Sequence, residues 1–255
     1  MDRFRIQEAM LMHRFFADPD RSADGHSFLM PEDARHAMTV LRLKSGHHVE
    51  IVLHGQRWEA ELDHLNGQDV SVRLLSPLPS TESGLSVTLF QGLPKADKMD
   101  LIVQKATELG VSAVVPVLMN RCVVRPDPKD MARKTERWMK IAREAGKQSG
   151  RCVIPCIEEP VPLDRLFGSF PLPAVNVVPW EESSGFGPLA VRNKYPSVSS
   201  LGILIGPEGG ICSEEILLLQ SAGFIPITLG KRILRTETAG LAAVSSFMCL
   251  YGEME

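Results

Sequence analysis

The 255-residue sequence has no apolar stretch approaching the roughly 20 residues that a bilayer-spanning helix needs. It has no secretory signal either, since "MDRFRIQEAMLMHRFF" scatters charges through its length instead of keeping one continuous apolar segment. Its five cysteines, Cys122, Cys152, Cys156, Cys212 and Cys249, form no CxxC pair, and "CVIPC" has the wrong spacing for a zinc clip. No metal site is therefore expected. An odd set of thiols in apolar surroundings fits buried packing residues in a reducing, cytoplasmic setting. Two phosphate-binding signatures are missing as well. No GK[ST] follows a glycine loop, which excludes a Walker loop, and the absence of GxGxxG leaves a nucleotide-binding dehydrogenase as a remote alternative. Internal repeats and low-complexity tracts are absent.

A formal charge of −3 argues against a uniformly basic nucleic-acid binder, but the distribution is uneven. Residues 121–151 hold ten Lys or Arg against four acids, so the rest of the chain is strongly acidic. That asymmetry predicts one local basic surface.

With 44% hydrophobic residues the chain can bury one large core or two modest ones. Residues 1–11 read as an extension ahead of "MHRFF". Residues 12–78 read as short strands with one helix: "HRFF", the helix "EDARHAMTVLRL", a hairpin from "HHVEIVLHG" and "RWEAELDHL" turning at "GQ", then "DVSVRLLS". A compact β-barrel closes such strands. "SPLPSTESG", residues 76–84, has linker composition. From residue 79 to 255 apolar strands alternate with helices, among them "KMDLIVQKATELG" with Leu101, Lys105 and Leu109 at helical spacing and a long helix from Lys129 to Gln148. This pattern predicts an α/β domain whose parallel sheet is covered on both faces.

Two loops carry the chemical signal. In "LIGPEGGICSEE" an apolar strand ends at Ile205, glycines turn the chain, and Ser213 is placed to cap a helix with Glu214 and Glu215 in its first turn. Glu208 argues against a phosphate there and for a ligand with hydroxyls, an amino group or a positive centre. The second loop is "LGKRILRTETAG", where Lys231, Arg232, Arg235 and Glu237 crowd the entrance to an apolar helix. Charges near a core cost several kcal/mol unless paired, yet a solvated loop with a salt bridge or two remains the simpler explanation. Both loops follow the last two strands, so they are expected at the same sheet edge. Glu208 and Arg235 then become candidates for a charge-assisted pair, Ile233 and Leu234 for an apolar wall, and Thr236 for the N-cap of the last helix.

Taken in order, "DKMDLIVQKATELGV", "KQSGR", "LIGPEGG" and "LGKRILRTETA" resemble the RsmE family, bacterial 16S rRNA uracil-N3 methyltransferases of the SPOUT superfamily. The resemblance covers nearly the whole chain. It implies a PUA-like barrel for RNA contact over residues 12–78 and a SPOUT α/β domain with a deep trefoil knot over residues 79–255. It also implies S-adenosyl-L-methionine as cofactor, a homodimer, and 16S rRNA of the small ribosomal subunit as substrate. The implied cofactor residues are Val178, Pro179, Ile205, Gly206, Glu208, Gly209, Gly210, Leu229, Gly230, Ile233, Leu234, Arg235 and Thr238. The chain departs from the family pattern at Lys231, where proline is common, at Ala96, where glycine is common, and at Ile211 and Cys212.

Methylating an imide nitrogen removes its proton and spreads negative charge onto the flanking carbonyl oxygens. Arg235 is the expected orienting or charge-stabilising group, with Glu237 or Glu208 ordering it and Glu237 the candidate base. Arg133, Arg137, Lys140 and Lys147 fall on roughly one face of the long helix, either as a solvated face or as phosphate contacts. Arg14, Arg42 and Arg57 are further RNA candidates, and Trp58 serves either RNA or the barrel core. Two other readings stand beside this one: a SPOUT methyltransferase acting on another RNA, and a non-catalytic RNA-binding assembly protein.

Overall fold

The computed structural model describes residues 12–66, 69–123 and 127–254, so the expected extension over residues 1–11 lies outside the described residues. The chain divides into two compact units, one ending at Glu82 and one starting at Ser83.

The first unit is a closed barrel. Its strands are β1 (Arg14–Ala23), β2 (His26–Leu29), β3 (His48–Leu53), β4 (Gln56–Asn66) and β5 (Asp69–Leu78), in spatial order β1-β2-β5-β4-β3. Antiparallel pairs make most of the wall, and a parallel β1–β3 pairing closes it. Phe15, Ile51, Leu62 and Val72 fill the interior. The β3–β4 hairpin turns at His54 and Gly55, with φ of +50° and +73°, rather than at the anticipated Gly-Gln. Both turn residues are left-handed, as a two-residue turn between twisted strands requires.

The predicted helix over residues 32–43 is shorter than expected. An α-helix α1 spans only Pro31–Arg35, and His36–Val40 follow as a single π turn. The chain then leaves the helix with Arg42 at φ +52°. Unwinding lets Met38, Leu41 and Leu43 pack against the barrel core, which a continued helix could not place together. The buried Asp33 carboxylate anchors α1 by accepting the Phe16 N–H at 2.7 Å.

The second unit is a seven-stranded sheet. Its strands are β6 (Ser86–Gly92), β7 (Ala113–Leu118), β8 (Cys156–Ile157), β9 (Val161–Pro162), β10 (Val175–Pro179), β11 (Ser200–Ile205) and β12 (Phe224–Ile227). The order is β12-β10-β11-β6-β7-β8 with β9 also on β7, and every pairing is parallel. Helices α2 (Lys98–Glu108), α3 (Pro128–Ser149), α4 (Leu163–Ser169), α5 (Pro188–Lys194), α6 (Ser213–Ser221) and α7 (Thr236–Leu250) accompany it. Continuous burial along β6 and β11 is the signature of strands covered on both faces. Phe90 sits at the centre, meeting Phe170 and Phe224 edge-on at 5.6 and 5.9 Å.

The core face of α2 is Met99, Ile102, Val103 and Ala106, with Leu109 packed against it, whereas Leu101 is 44% exposed. Strands β11 and β12 are separated by β10. All three are parallel, so their carboxyl ends still open on one edge, and the turn after β10 joins the other two there.

Candidate functional site

At that edge a cavity of about 440 Å³ lies between the three turns. Pro179, Trp180 and Glu181 contribute from β10, Ile205 to Glu208 with Gly210 and Ile211 from β11, and Thr228 to Thr236 with Ala239 from β12 and α7. Ten of the thirteen residues implied for the cofactor line it: Pro179, Ile205, Gly206, Glu208, Gly210, Leu229, Gly230, Ile233, Leu234 and Arg235. The other three do not. Val178 is wholly buried in the sheet, Thr238 is exposed on α7, and Gly209 backs onto Arg121.

The glycines of "GPEGG" answer first to the protein's own packing. A Cβ on Gly206 would stand 2.7 Å from Ile211 Cγ1, and one on Gly209 would stand 2.8 Å from Arg121 Cβ. Gly210 takes φ +75°, which closes the turn. Arg121 then reaches over the turn and donates to the Gly209 carbonyl at 3.0 Å.

The helix caps also differ from expectation. Cys212, not Ser213, is the N-cap of α6, and the buried Glu215 accepts the Cys212 N–H at 3.1 Å and the Asn120 N–H at 2.7 Å. Thr236 is the first helical residue of α7, with Arg235 at the cap position. Its hydroxyl donates to the Gly206 carbonyl at 2.7 Å and accepts from Gln91 Nε2 at 2.9 Å. One buried hydroxyl thus fastens the turn after β11 to the start of α7 and to β6.

The anticipated Glu208–Arg235 pair does not form. Glu208 takes Lys98 Nζ at 3.1 Å and the Lys95 N–H at 3.1 Å, while Glu237 takes the same ammonium at 3.1 Å. Lys98 opens α2, and its ammonium takes both carboxylates. Arg235 is exposed and makes no ion pair with any of the described residues. Burial pushes the Glu208 carboxyl up, but its own backbone N–H, that of Lys95 and the Lys98 ammonium outweigh this and hold it below the ordinary carboxylate range. Glu237 is also held low, first by its own backbone N–H at the helix start and then by Lys98.

Known proteins match this chain along most of its length. A family model described as an RNA methyltransferase domain matches residues 81–248, and an RNA methyltransferase PUA domain matches residues 31–75. The ribosomal RNA small subunit methyltransferase E of Bacillus subtilis is 36% identical over 222 residues, covering 84% of this chain and 86% of the relative. The chain belongs to the ribosomal RNA small subunit methyltransferase E family. Among solved structures, the member of that family from Neisseria gonorrhoeae bound to S-adenosyl methionine is 30% identical with a TM-score of 0.80, covering 96% of this chain and all of that one. A methyltransferase from Legionella pneumophila in complex with the same cofactor is 32% identical with a TM-score of 0.79, covering 93% of this chain and 97% of that one.

The cavity fits the cofactor of those relatives. Its volume lies within the roughly 300–1,000 Å³ usual for ligand pockets. Ile205, Leu229, Leu234 and Ala239 offer apolar surface for a flat aromatic ring, and the Glu208 and Glu181 carboxylates suit a cationic centre.

The basic residues proposed for RNA are less uniform than a methyltransferase E with one continuous basic face would present. Arg14 and Arg57 both bind the buried Glu50 carboxylate, and Arg57 does so through two contacts of 2.9 and 2.8 Å. Trp58 packs against the barrel core. Arg42 is exposed at its left-handed turn. On α3, Thr135, Trp138, Ala142 and Ala145 form the buried face, leaving Arg133, Arg137 and Lys140 outside and Lys147 half-buried. Arg133 pairs with Asp130 at 2.9 Å, and Arg137 pairs with Asp100. Among the described residues, no cluster of three or more His, Cys, Asp or Glu is arranged for a metal, and no helix is long and apolar enough to cross a membrane.

Proposed function

We propose that this protein transfers a methyl group from S-adenosylmethionine to N3 of a specific uridine in 16S rRNA of the small ribosomal subunit. The observation that carries this reading is the convergence of the turns after β10, β11 and β12 into one cavity with apolar walls and ionised carboxylates. When bound, the cofactor supplies a methyl group on a positively charged sulfur.

The residues around the cavity do the rest. Ile205, Leu229 and Leu234 hold the apolar part of the cofactor and exclude water, and Glu208 presents a fixed negative charge to its cationic end. Arg235 lies on the cavity lining with its guanidinium uncommitted to any other described residue. In this reading it donates to the uracil carbonyl oxygens as the N3 proton leaves. Stabilising that charge is worth about 3 kcal/mol by analogy with donors in oxyanion holes. Glu237, held low and paired with Lys98, is a weak proton acceptor near neutral pH, so it acts as a fixed anion and the proton passes to water. Arg42 on the barrel and Arg133, Lys140 and Lys147 on α3 are the phosphate contacts in this reading.

Three further properties belong to the same proposal. The chain is cytosolic, in keeping with five free thiols, of which Cys156 and Cys249 are exposed rather than buried as expected. It works as a homodimer, for which Ile233, 87% exposed beside the cavity, offers an apolar surface that a second copy covers. The crossover is knotted, as the family resemblance implies, with α7 returning from β12 to pack on β6 and β11. The test of function is mass mapping of modified nucleotides in 16S rRNA from a deletion strain, with and without the gene restored. A single N3-methyluridine lost and regained supports the assignment, and an unchanged pattern refutes it.

A further inference from the structure

We propose that Lys98 is a positioning residue whose ammonium cancels the repulsion between Glu208 and Glu237 and so holds the turn after β11 in its cofactor-binding shape. This rests on the cavity being the cofactor site, and it assigns a role to a residue outside the cavity lining.

Three segments distant in sequence meet at this ammonium. Lys98 starts α2, Glu208 lies 110 residues later in the turn after β11, and Glu237 sits in the first turn of α7. Both Nζ–carboxylate distances are 3.1 Å. The side chains are 33% (Lys98), 15% (Glu208) and 23% (Glu237) exposed, so water screens the two carboxylates from each other only in part. The other charges around these segments are Lys95, Asp97 and Asp100 beside Lys98, with Arg137 of α3 on both aspartates, Arg121, Glu181 and Glu215 around the turn after β11, and Arg235 ahead of Glu237. Glu237 and Glu208 hold the Lys98 ammonium charged above its ordinary range, so all three groups are ionised at neutral pH.

Without that cation, two carboxylates face each other where one lines the cavity. Above their titration range they repel and displace the turn. As pH falls and one of them takes up a proton, the turn can return. A lysine that merely packs would show no such rescue by acid.

Calorimetric titration with S-adenosylmethionine at pH 8 and pH 5.5 tests this, with the melting temperature of each variant recorded. K98M is expected to bind about tenfold more weakly than the wild type at pH 8, with the gap narrowing at pH 5.5. K98R, which keeps the charge, and K98M/E237Q, which removes the repulsion, are expected within about threefold of the wild type at pH 8. Wild-type affinity in K98M at pH 8, or an equal loss at both pH values that E237Q does not relieve, overturns the proposal. If K98M alone fails to fold, the double variant decides: near-native binding supports the inference and weak binding overturns it. No binding by the wild type would instead overturn the cofactor reading itself, and this inference with it.

Discussion

Replacing Thr236 with valine keeps the shape of a buried side chain and removes only its hydroxyl. That hydroxyl donates to the Gly206 carbonyl at 2.7 Å and accepts from the Gln91 amide at 2.9 Å, in a site where Thr236 is 5% and Gln91 0% exposed. The Gln91 amide keeps its second acceptor, the Gly92 carbonyl at 3.0 Å, so its loss is partial. The Gly206 carbonyl loses the bond that ties it to α7. A buried polar group stripped of its partner costs about 1–3 kcal/mol, so the two together put T236V at about 2–4 kcal/mol. For a unit spanning Ser83 to the C-terminus this corresponds to a melting point lower by about 4–16 °C. T236S keeps both bonds and forfeits one methyl group, about 1 kcal/mol. Differential scanning calorimetry without ligand separates the two variants. If T236V melts within a degree of the wild type, or if T236S falls as far as T236V, the hydroxyl does not fasten these segments and the reasoning fails.

Arg235, exposed and without an ion pair to any described residue, should be removable at little structural cost. R235A is expected to melt within about 0.5 kcal/mol of the wild type while single-turnover methylation drops by two orders of magnitude or more; near-full activity would remove Arg235 from the chemistry. Ala96 holds φ +53° where the family commonly has glycine, so A96G should stabilise the second unit by about 0.5–1 kcal/mol, read by urea denaturation. In the barrel, Glu50 is raised by burial but lowered further by Arg57 and Arg14, leaving it below its ordinary 4.5. Its folded pKa is therefore below its unfolded one, so its contribution is present above about pH 4.5 and lost as pH falls through the folded value. E50Q should destabilise the barrel by about 2–3 kcal/mol at pH 7, less than a fully buried pair because both guanidiniums are partly exposed, and should flatten the acid limb of the melting curve.

What the sequence made legible follows from the range of each interaction. Apolar runs such as "LGILI" and "SVTLF" announce buried parallel strands because both faces must be covered, and the glycine turn after Ile205 is visible as a local break. The partner of Glu208 was not visible. Arg235 lay in the other prominent loop, whereas Lys98 stands 110 residues upstream in a helix start that looks like any other. A separation of 30 residues hid the bond from Thr236 to Gly206, so Thr236 read as a cap. Trp180 and Glu181 escaped because only Val178 and Pro179 ahead of them belonged to the strand pattern, although the turn itself lines the cavity. The short helix α5 escaped as well, seven residues after a Ser- and Gly-rich stretch giving too little periodicity to read. In the barrel, the helical pattern over residues 32–43 ended at Val40 after a π turn, and the core drew Leu41 and Leu43 away from it.

A crystal structure of this protein grown with S-adenosylmethionine addresses the central claim most directly. Density for the cofactor between the Ile205–Ile211 turn and the Thr228–Thr236 loop, with Glu208 still on Lys98, is the predicted result. Cofactor bound elsewhere on the molecule, or that space closed by Leu229 and Leu234 while the ligand stays in solution, would contradict it.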